Sequence, residues 1–223
     1  MKKYELTDDA ITVEGRMLHR IKALKSFSKV EEGELGGYVE KEDNLDQSGN
    51  AWVSGDARVS GDARVSGNAR VSGDARVSGN ARVYGNARVC GDAWVSGDAR
   101  VSGNARVYGD AWVSGDAWVY GDAWVSGDAW VCGDAWVSGD ARVSGNAQVC
   151  GENDYTTAKG FGREYRTTTF FRLQDGEIGV RCGCFCGTLD EFRKKVKETH
   201  EESKMGKEYL MLADLMEYKF KDV

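Results

Sequence analysis

The chain has 223 residues, 36 acidic against 30 basic for a formal charge of -6, with 29 glycines, six cysteines and no proline. That acidic balance argues against a general nucleic-acid binder, and no run is apolar enough to cross a membrane. The opening Met1-Lys2-Lys3-Tyr4-Glu5-Leu6 lacks the apolar core of a signal peptide, which sets the expectation of a cytoplasmic protein whose cysteines are reduced thiols.

Residues 1–38 form an N-terminal capping segment. Within it Ile11-Thr12-Val13 and Met17-Leu18-His19-Arg20-Ile21 flank Glu14-Gly15 and predict a hairpin able to seal the end of a stacked structure. Glu32 to Gly37 reads as a loop. Val39 and Leu45 fall in the six-residue phase of Ala51, so the repeat is expected to begin irregularly near Val39. His19 has no nearby Cys, Asp or Ser partner and reads as a strand histidine.

From Asn50 to Gly151 a six-residue unit close to V-S-G-D-A-R recurs without insertion or deletion, and valine returns seventeen times from Val53 to Val149. Alanine stands two residues before each valine, the alternation of a short strand with two inward positions around one outward residue. Gly with Asp or Asn then supplies a sharp corner. Three strands and three corners make a coil of about eighteen residues, and such units bury their apolar side only by stacking. The repeat, assigned to residues 39–153, predicts between five and six coils, about 27 Å tall at one strand spacing per coil.

This pattern, as in Val53-Ser54-Gly55-Asp56-Ala57-Arg58, resembles the hexapeptide-repeat left-handed parallel β-helix, with Ser where that family usually has Gly, Ala, Glu or Asp. The resemblance implies a three-sided solenoid and its handedness. Many relatives of that kind are trimeric acyltransferases, which use a histidine base at a cleft between neighbouring helices, often beside a loop thrown out from a coil. Here no coil carries a loop or a histidine, and neither His19 nor His200 matches a family position, so no catalytic residue is carried over.

Stacking at a period of eighteen sorts the outward residues into three ladders. The first reads Trp52, Arg70, Arg88, Arg106, Trp124, Arg142; the second Arg58, Arg76, Trp94, Trp112, Trp130, Gln148; the third Arg64, Arg82, Arg100, Trp118, Trp136. Trp94, Trp112 and Trp130 are expected to stack as a strip, and Arg106, Trp124 and Arg142 to make cation–π contacts. Arginine dominates the first half of the rod and tryptophan the second. From Tyr108 to Gly151 one arginine faces six aspartates with no Lys or Glu, and this acidic, aromatic half carries the candidate partner-binding residues Trp94, Trp112, Trp118, Trp124, Trp130 and Trp136 with Tyr108 and Tyr120.

The corners form ladders of their own. Asn50, Asn68, Asn86 and Asn104 are expected to bond amide to amide along one edge. Asp56, Asp74, Asp92, Asp110 and Asp128 gather like charge on another without the spacing of a calcium site. Cys132 and Cys150, one coil apart, are close enough for a disulfide but are expected to remain thiols.

Residues 154–223 read as an α+β (ββαα) module. Phe170–Leu173 and Ile178–Arg181 bracket an Asp175-Gly176 turn, with Leu173 expected opposite Ile178 and Phe171 opposite Val180. The same strand face is expected to run on through Cys182, Cys184 and Cys186 with a bend or bulge at the glycines, and these thiols do not complete a tetrahedral metal set. Thr188-Leu189-Asp190-Glu191 is a capping box opening a helix with Leu189, Phe192 and Val196 inward. A second helix turns Tyr209, Leu212, Ala213, Met216 and Phe220 inward, and His200 lies in the polar connection.

The hairpin, the repeat and the Cys-Gly-Cys-Phe-Cys-Gly-Thr-Leu-Asp-Glu-Phe module together resemble uncharacterised hexapeptide-repeat proteins of phages and prophages. The expectation is a mainly β, non-catalytic binding protein, without cofactor or metal, acting in the host cytoplasm as a scaffold or inhibitor of a host protein, and assembling as a dimer or trimer. Acyl transfer and a nucleic-acid-binding or nucleic-acid-mimicking rod are the alternatives.

Overall fold

The computed structural model describes residues 2–162 and 164–221. Met1, Arg163, Asp222 and Val223, which fall in the expected end segments, lie outside the described residues. Between Trp52 and Val149 every six-residue unit contributes one two-residue strand, and the strands stack in parallel into three sheets. The pairing is strictly in register, Arg88 against Arg70 and Arg106, and Trp112 against Trp94 and Trp130.

Backbone bonding between coils explains the period. In most units the amides of the corner residue, the outward residue and the next corner reach the coil above, as in Asn86 N to Gly103 O (2.8 Å), Arg88 N to Ala105 O (2.9 Å) and Cys90 N to Val107 O (2.9 Å). Every repeat valine and alanine from Ala51 to Val149 is fully buried in one continuous core. The corners turn on glycine: Gly97 has a φ of 67°, and a Cβ there would lie 2.9 Å from the Gly115 nitrogen of the next coil. Only a residue lacking Cβ fits both demands.

The stack is taller than the repeat alone predicts. Leu35–Val39 is a strand rather than a loop, pairing antiparallel with Arg16–Ala23 and parallel with Arg58–Val59. Gly36 and Gly37 are therefore not loop residues. A Cβ on Gly36 would meet Ile21 and the Val53 carbonyl at 2.5 and 2.6 Å, so the pair lets the cap pass close beneath the first coil. Val39 and Leu45 occupy valine positions, opposite Val59 and Val65, instead of sharing the phase of Ala51 in space. A corner longer by two residues between Leu45 and Val53 absorbs the difference.

The expected N-terminal hairpin is present and longer, Tyr4–Val13 with Arg16–Ala23 around Glu14-Gly15. It extends the second face into a nine-stranded sheet. Tyr4, Ile21, Ala23 and Val30 close the core at this end, and Trp52 is buried beneath them, edge-on to Phe27 at 5.5 Å. Lys3 is fully buried as well, its Nζ donating to the carbonyls of Ala51 (3.0 Å) and Ser48 (3.3 Å).

At the other end a four-stranded antiparallel sheet follows, Tyr155–Ala158, Thr168–Arg172, Ile178–Cys182 and Phe185–Thr188, covered by helices α1 (Leu189–His200) and α2 (Lys204–Lys221). The module thus has two more strands than the expected hairpin. Its turn is also wider. Arg172 lies opposite Ile178 and Phe170 opposite Val180, one residue out of the predicted register, because Leu173 closes the loop on Glu177 O at 2.9 Å. The shift decides the packing of both ends: Phe170 enters the helix-covered core with Phe192 and Tyr209, whereas Phe171 and Leu173 close the last coil of the solenoid. Ala147 bridges Leu173, and Arg142 N donates to Thr169 Oγ1 at 2.9 Å, tying module to rod.

α1 begins, and both helices face, as the sequence predicts. Thr188 and Glu191 form the reciprocal capping box, and Leu189, Phe192 and Val196 are buried. Arg193 joins the helices through Asp214 (2.8 Å) and Glu217 (2.6 Å).

Two outcomes follow from this packing. Val101→Asp places an unpaired carboxylate inside the stack and should cost about 3 kcal/mol or more in denaturant unfolding; wild-type stability would reject the inward assignment. Burial, partly offset by Asp46, pushes the Lys3 ammonium down from 10.5 to about 8. The folded chain then binds that proton less tightly than the unfolded chain, so the charged form is penalised below pH 8 and the penalty fades as pH rises toward 10.5. Tyr4 shifts upward from 10.0, chiefly by burial and then by Glu42, and opposes the gain from about pH 10. Wild type should therefore gain stability relative to Lys3→Met between pH 8 and 10, measured by urea titration.

Candidate functional site

Because the strands are so short, the outer surface is almost entirely the three ladders. On the second face Trp94, Trp112 and Trp130 are stacked with ring centroids 5.0 and 5.1 Å apart and planes within 6° and 8°. The strand spacing of about 4.8 Å sets this distance, and in-register pairing keeps the planes parallel. Trp94 and Trp112 donate to Ser78 and Ser96 Oγ, both at 3.2 Å, from the coil below. The indole N–H of Trp130 is buried without a partner, as is that of Trp118.

The remaining candidates lie on other faces. Trp124 is on the first, its ring between the Arg106 and Arg142 guanidiniums at 4.9 and 5.1 Å, with Tyr108 edge-on at 5.9 Å. Trp118 and Trp136 are on the third, perpendicular at 5.4 Å, with Tyr120 tilted against Trp118 at 5.5 Å. The structure therefore groups the eight candidates into three clusters. Mutual stacking also covers much of the indole surface: Trp94, Trp112, Trp118, Trp124 and Trp130 are half-buried, and Trp136 is 48 % exposed. Another apolar surface escaped sequence reasoning. Met211, Leu215 and Tyr218 form an exposed stripe on α2 opposite its buried one, visible in retrospect as apolar residues at spacings of four and three.

The asparagine tape forms as expected, Asn50 to Asn68 (3.0 Å), Asn68 to Asn86 (3.0 Å), Asn86 to Asn104 (3.1 Å) and on to Asp122 (3.0 Å). Among the described residues no three His, Cys, Asp or Glu side chains gather as metal ligands. His19 is bonded through Nδ1 to the Thr7 carbonyl in the N-terminal hairpin, and His200 rests against Tyr209 at the far end of the molecule.

The cysteines depart from expectation. Cys132 and Cys150 are joined as a disulfide rather than standing as thiols, because stacking superposes their corners with Cα atoms 4.3 Å apart. Cys182, Cys184 and Cys186 do not share one strand face. The strand ends at Cys182, the chain reverses over Gly183-Cys184, and Phe185 returns opposite Cys182. Cys184 and Cys186 are exposed, while Cys182 contacts Thr168 Oγ1 at 3.2 Å and the Tyr209 hydroxyl at 3.9 Å. Burial, with Cys182 adding to it, pushes Tyr209 up to about 12. Burial likewise raises the Cys90 thiol against the pull of Arg88 and Arg106.

The unit that builds these faces matches the family model described as YdcK Beta solenoid repeat, over residues 51–67, 57–73, 63–79, 69–83, 75–91, 81–97, 99–115 and 135–151. The chain is a β-solenoid repeat protein. A search of the curated proteins finds no match. The matched windows run without a break from residue 51 to 97 and return at 99–115 and 135–151; across residues 116–134, between them, the structure keeps the same two-residue strands at Trp118, Trp124 and Trp130.

Arg106 and Arg142 test how much the outer ladders add to that framework. Replacing either by Gln should lower the solenoid's stability by about 0.5–1 kcal/mol through the lost cation–π contact. Arg64→Gln, which faces no indole, should change it by less than about 0.5 kcal/mol in the same urea titration.

Proposed function

We propose that the protein is a non-catalytic binding scaffold, of the phage or prophage kind its architecture resembles, which holds a partner against the tryptophan-rich half of its rod. The observation that carries this reading is the second-face strip. Three parallel, stacked indoles at 5.0 and 5.1 Å present their edges as one continuous apolar strip on strands paired in register. Tryptophan dominates binding hot spots because it offers large area at little conformational cost. Asp92, Asp110 and Asp128 on one corner and Asp98, Asp116 and Asp134 on the other flank the strip, with Arg142 as the only basic residue from Tyr108 to Gly151, favouring a basic partner surface. Acyl transfer has less support, since the two histidines lie in the end structures and from Trp52 to Val149 no loop interrupts the six-residue unit.

Arginine already occupies equivalent positions of the same ladder, so Trp112→Arg with Trp130→Arg should leave the fold intact and remove about 2 kcal/mol or more per hot spot. Pull-down from host extract and sedimentation velocity compare this double variant with Arg64→Ala/Arg82→Ala. Loss of partner or self-association in the tryptophan variant alone is expected. Retention of both there, with loss in the arginine variant, would place the interface on the other half of the rod.

A further inference from the structure

The first face carries a different surface, independent of the tryptophan strip. Arg70, Arg88 and Arg106 stand directly above one another in register. Among the described residues none of the three is in an ion pair, and Arg70 bonds only the Ser28 hydroxyl at 3.0 Å. Like charges held opposite one another at strand spacing destabilise a sheet, so this ladder has an unmet need for anions.

The neighbouring corner adds no negative charge to this face. Two residues before Arg70, Arg88 and Arg106 stand Asn68, Asn86 and Asn104, whereas on the other faces Arg58, Arg76, Arg64 and Arg100 each follow an aspartate by two and Arg82 alone follows an asparagine, Asn80. The neutral amides spend one N–H on the tape and bring no carboxylate to the arginines. Ser28 and Lys29 of the N-terminal cap line the lower end of an open cleft of about 600 Å³ between the amide edge and the guanidiniums of Arg70 and Arg88. No carboxylate lines it among the described residues.

We infer that this cleft is a binding site for a short linear oligophosphate, seated along the rod axis across Lys29, Arg70 and Arg88. Guanidiniums bind phosphoryl oxygens as paired, charge-assisted donors, and a ladder rising about 4.8 Å per step can hold non-adjacent phosphoryl groups of one chain. Single-stranded nucleic acid is the less suitable polyanion. Its bases need open aromatic faces, yet Trp52 is buried under the cap and Trp124 already lies between two arginines.

Isothermal titration of the full chain uses sodium tripolyphosphate, a nucleoside triphosphate, its phosphate-free nucleoside and a single-stranded oligothymidylate. Tripolyphosphate and the triphosphate should bind and the nucleoside should not; a tighter triphosphate would make a nucleotide tail the source. Arg70→Ala/Arg88→Ala should weaken tripolyphosphate at least tenfold and flatten its salt dependence, while Arg64→Ala/Arg82→Ala on the third face should not. Asn86→Asp keeps an acceptor for Asn68, as Asp122 does for Asn104, and should weaken binding about tenfold by bringing a carboxylate to Arg88. Circular dichroism confirms that each variant retains the solenoid. Absence of tripolyphosphate binding, equal loss in both arginine variants, or preference for oligothymidylate would overturn the assignment.

Discussion

Everything in this molecule depends on one constraint: a coil can hide its valines and alanines only by lying flat on an identical coil. A single unit offers two small apolar side chains, too little to offset the ordering of six residues. Stacking supplies the missing contacts and satisfies the backbone at the same time, since two or three amides of each unit below the last coil are bonded by the coil above. Those two requirements leave no freedom in register. Position is copied from coil to coil, and whatever side chain faces outward is copied with it.

Copying is why chemistry accumulates on the faces. One exposed tryptophan on a loop is a common surface residue, but repetition at strand spacing turns three of them into a parallel stack. Repetition equally turns single arginines into a column of like charge, and single asparagines into an amide tape. The same framework therefore carries an aromatic, acidic region and a cationic one without any change in backbone.

What the sequence made legible was whatever the period or a local motif determines. The three ladders, the Trp94–Trp112–Trp130 stack, the Arg106–Trp124–Arg142 sandwich, the asparagine tape and the Thr188 capping box all depend on residues at fixed short offsets. The departures arise where distant segments decide. Gly36-Gly37 resembles a loop until Ile21 and Val53 are seen to crowd it. Val39 and Leu45 keep a six-residue phase in sequence but change position in space across an enlarged corner. The Phe170 register is set by the wider Leu173–Glu177 turn, and the cysteine run by a reversal that pairs Cys182 with Phe185. Indole exposure was equally unreadable, because each ring's cover is the next ring.

The corner that carries Leu45 to Val53 is the one place in the rod where the chain departs from its six-residue step. Its extra length sets the rotational phase between the cap and every coil above it, as the Phe171–Leu173 closure does at the other end. The rod consequently behaves as a ruler with keyed ends. Adding or removing eighteen residues lengthens or shortens it by one strand spacing and leaves both ends facing the same way. A change of six or twelve turns the C-terminal module by a third of a revolution about the axis, onto a different face. Evolution of this chain can thus alter the distance between its two end structures in whole coils, and alter their relative direction only in steps of one face.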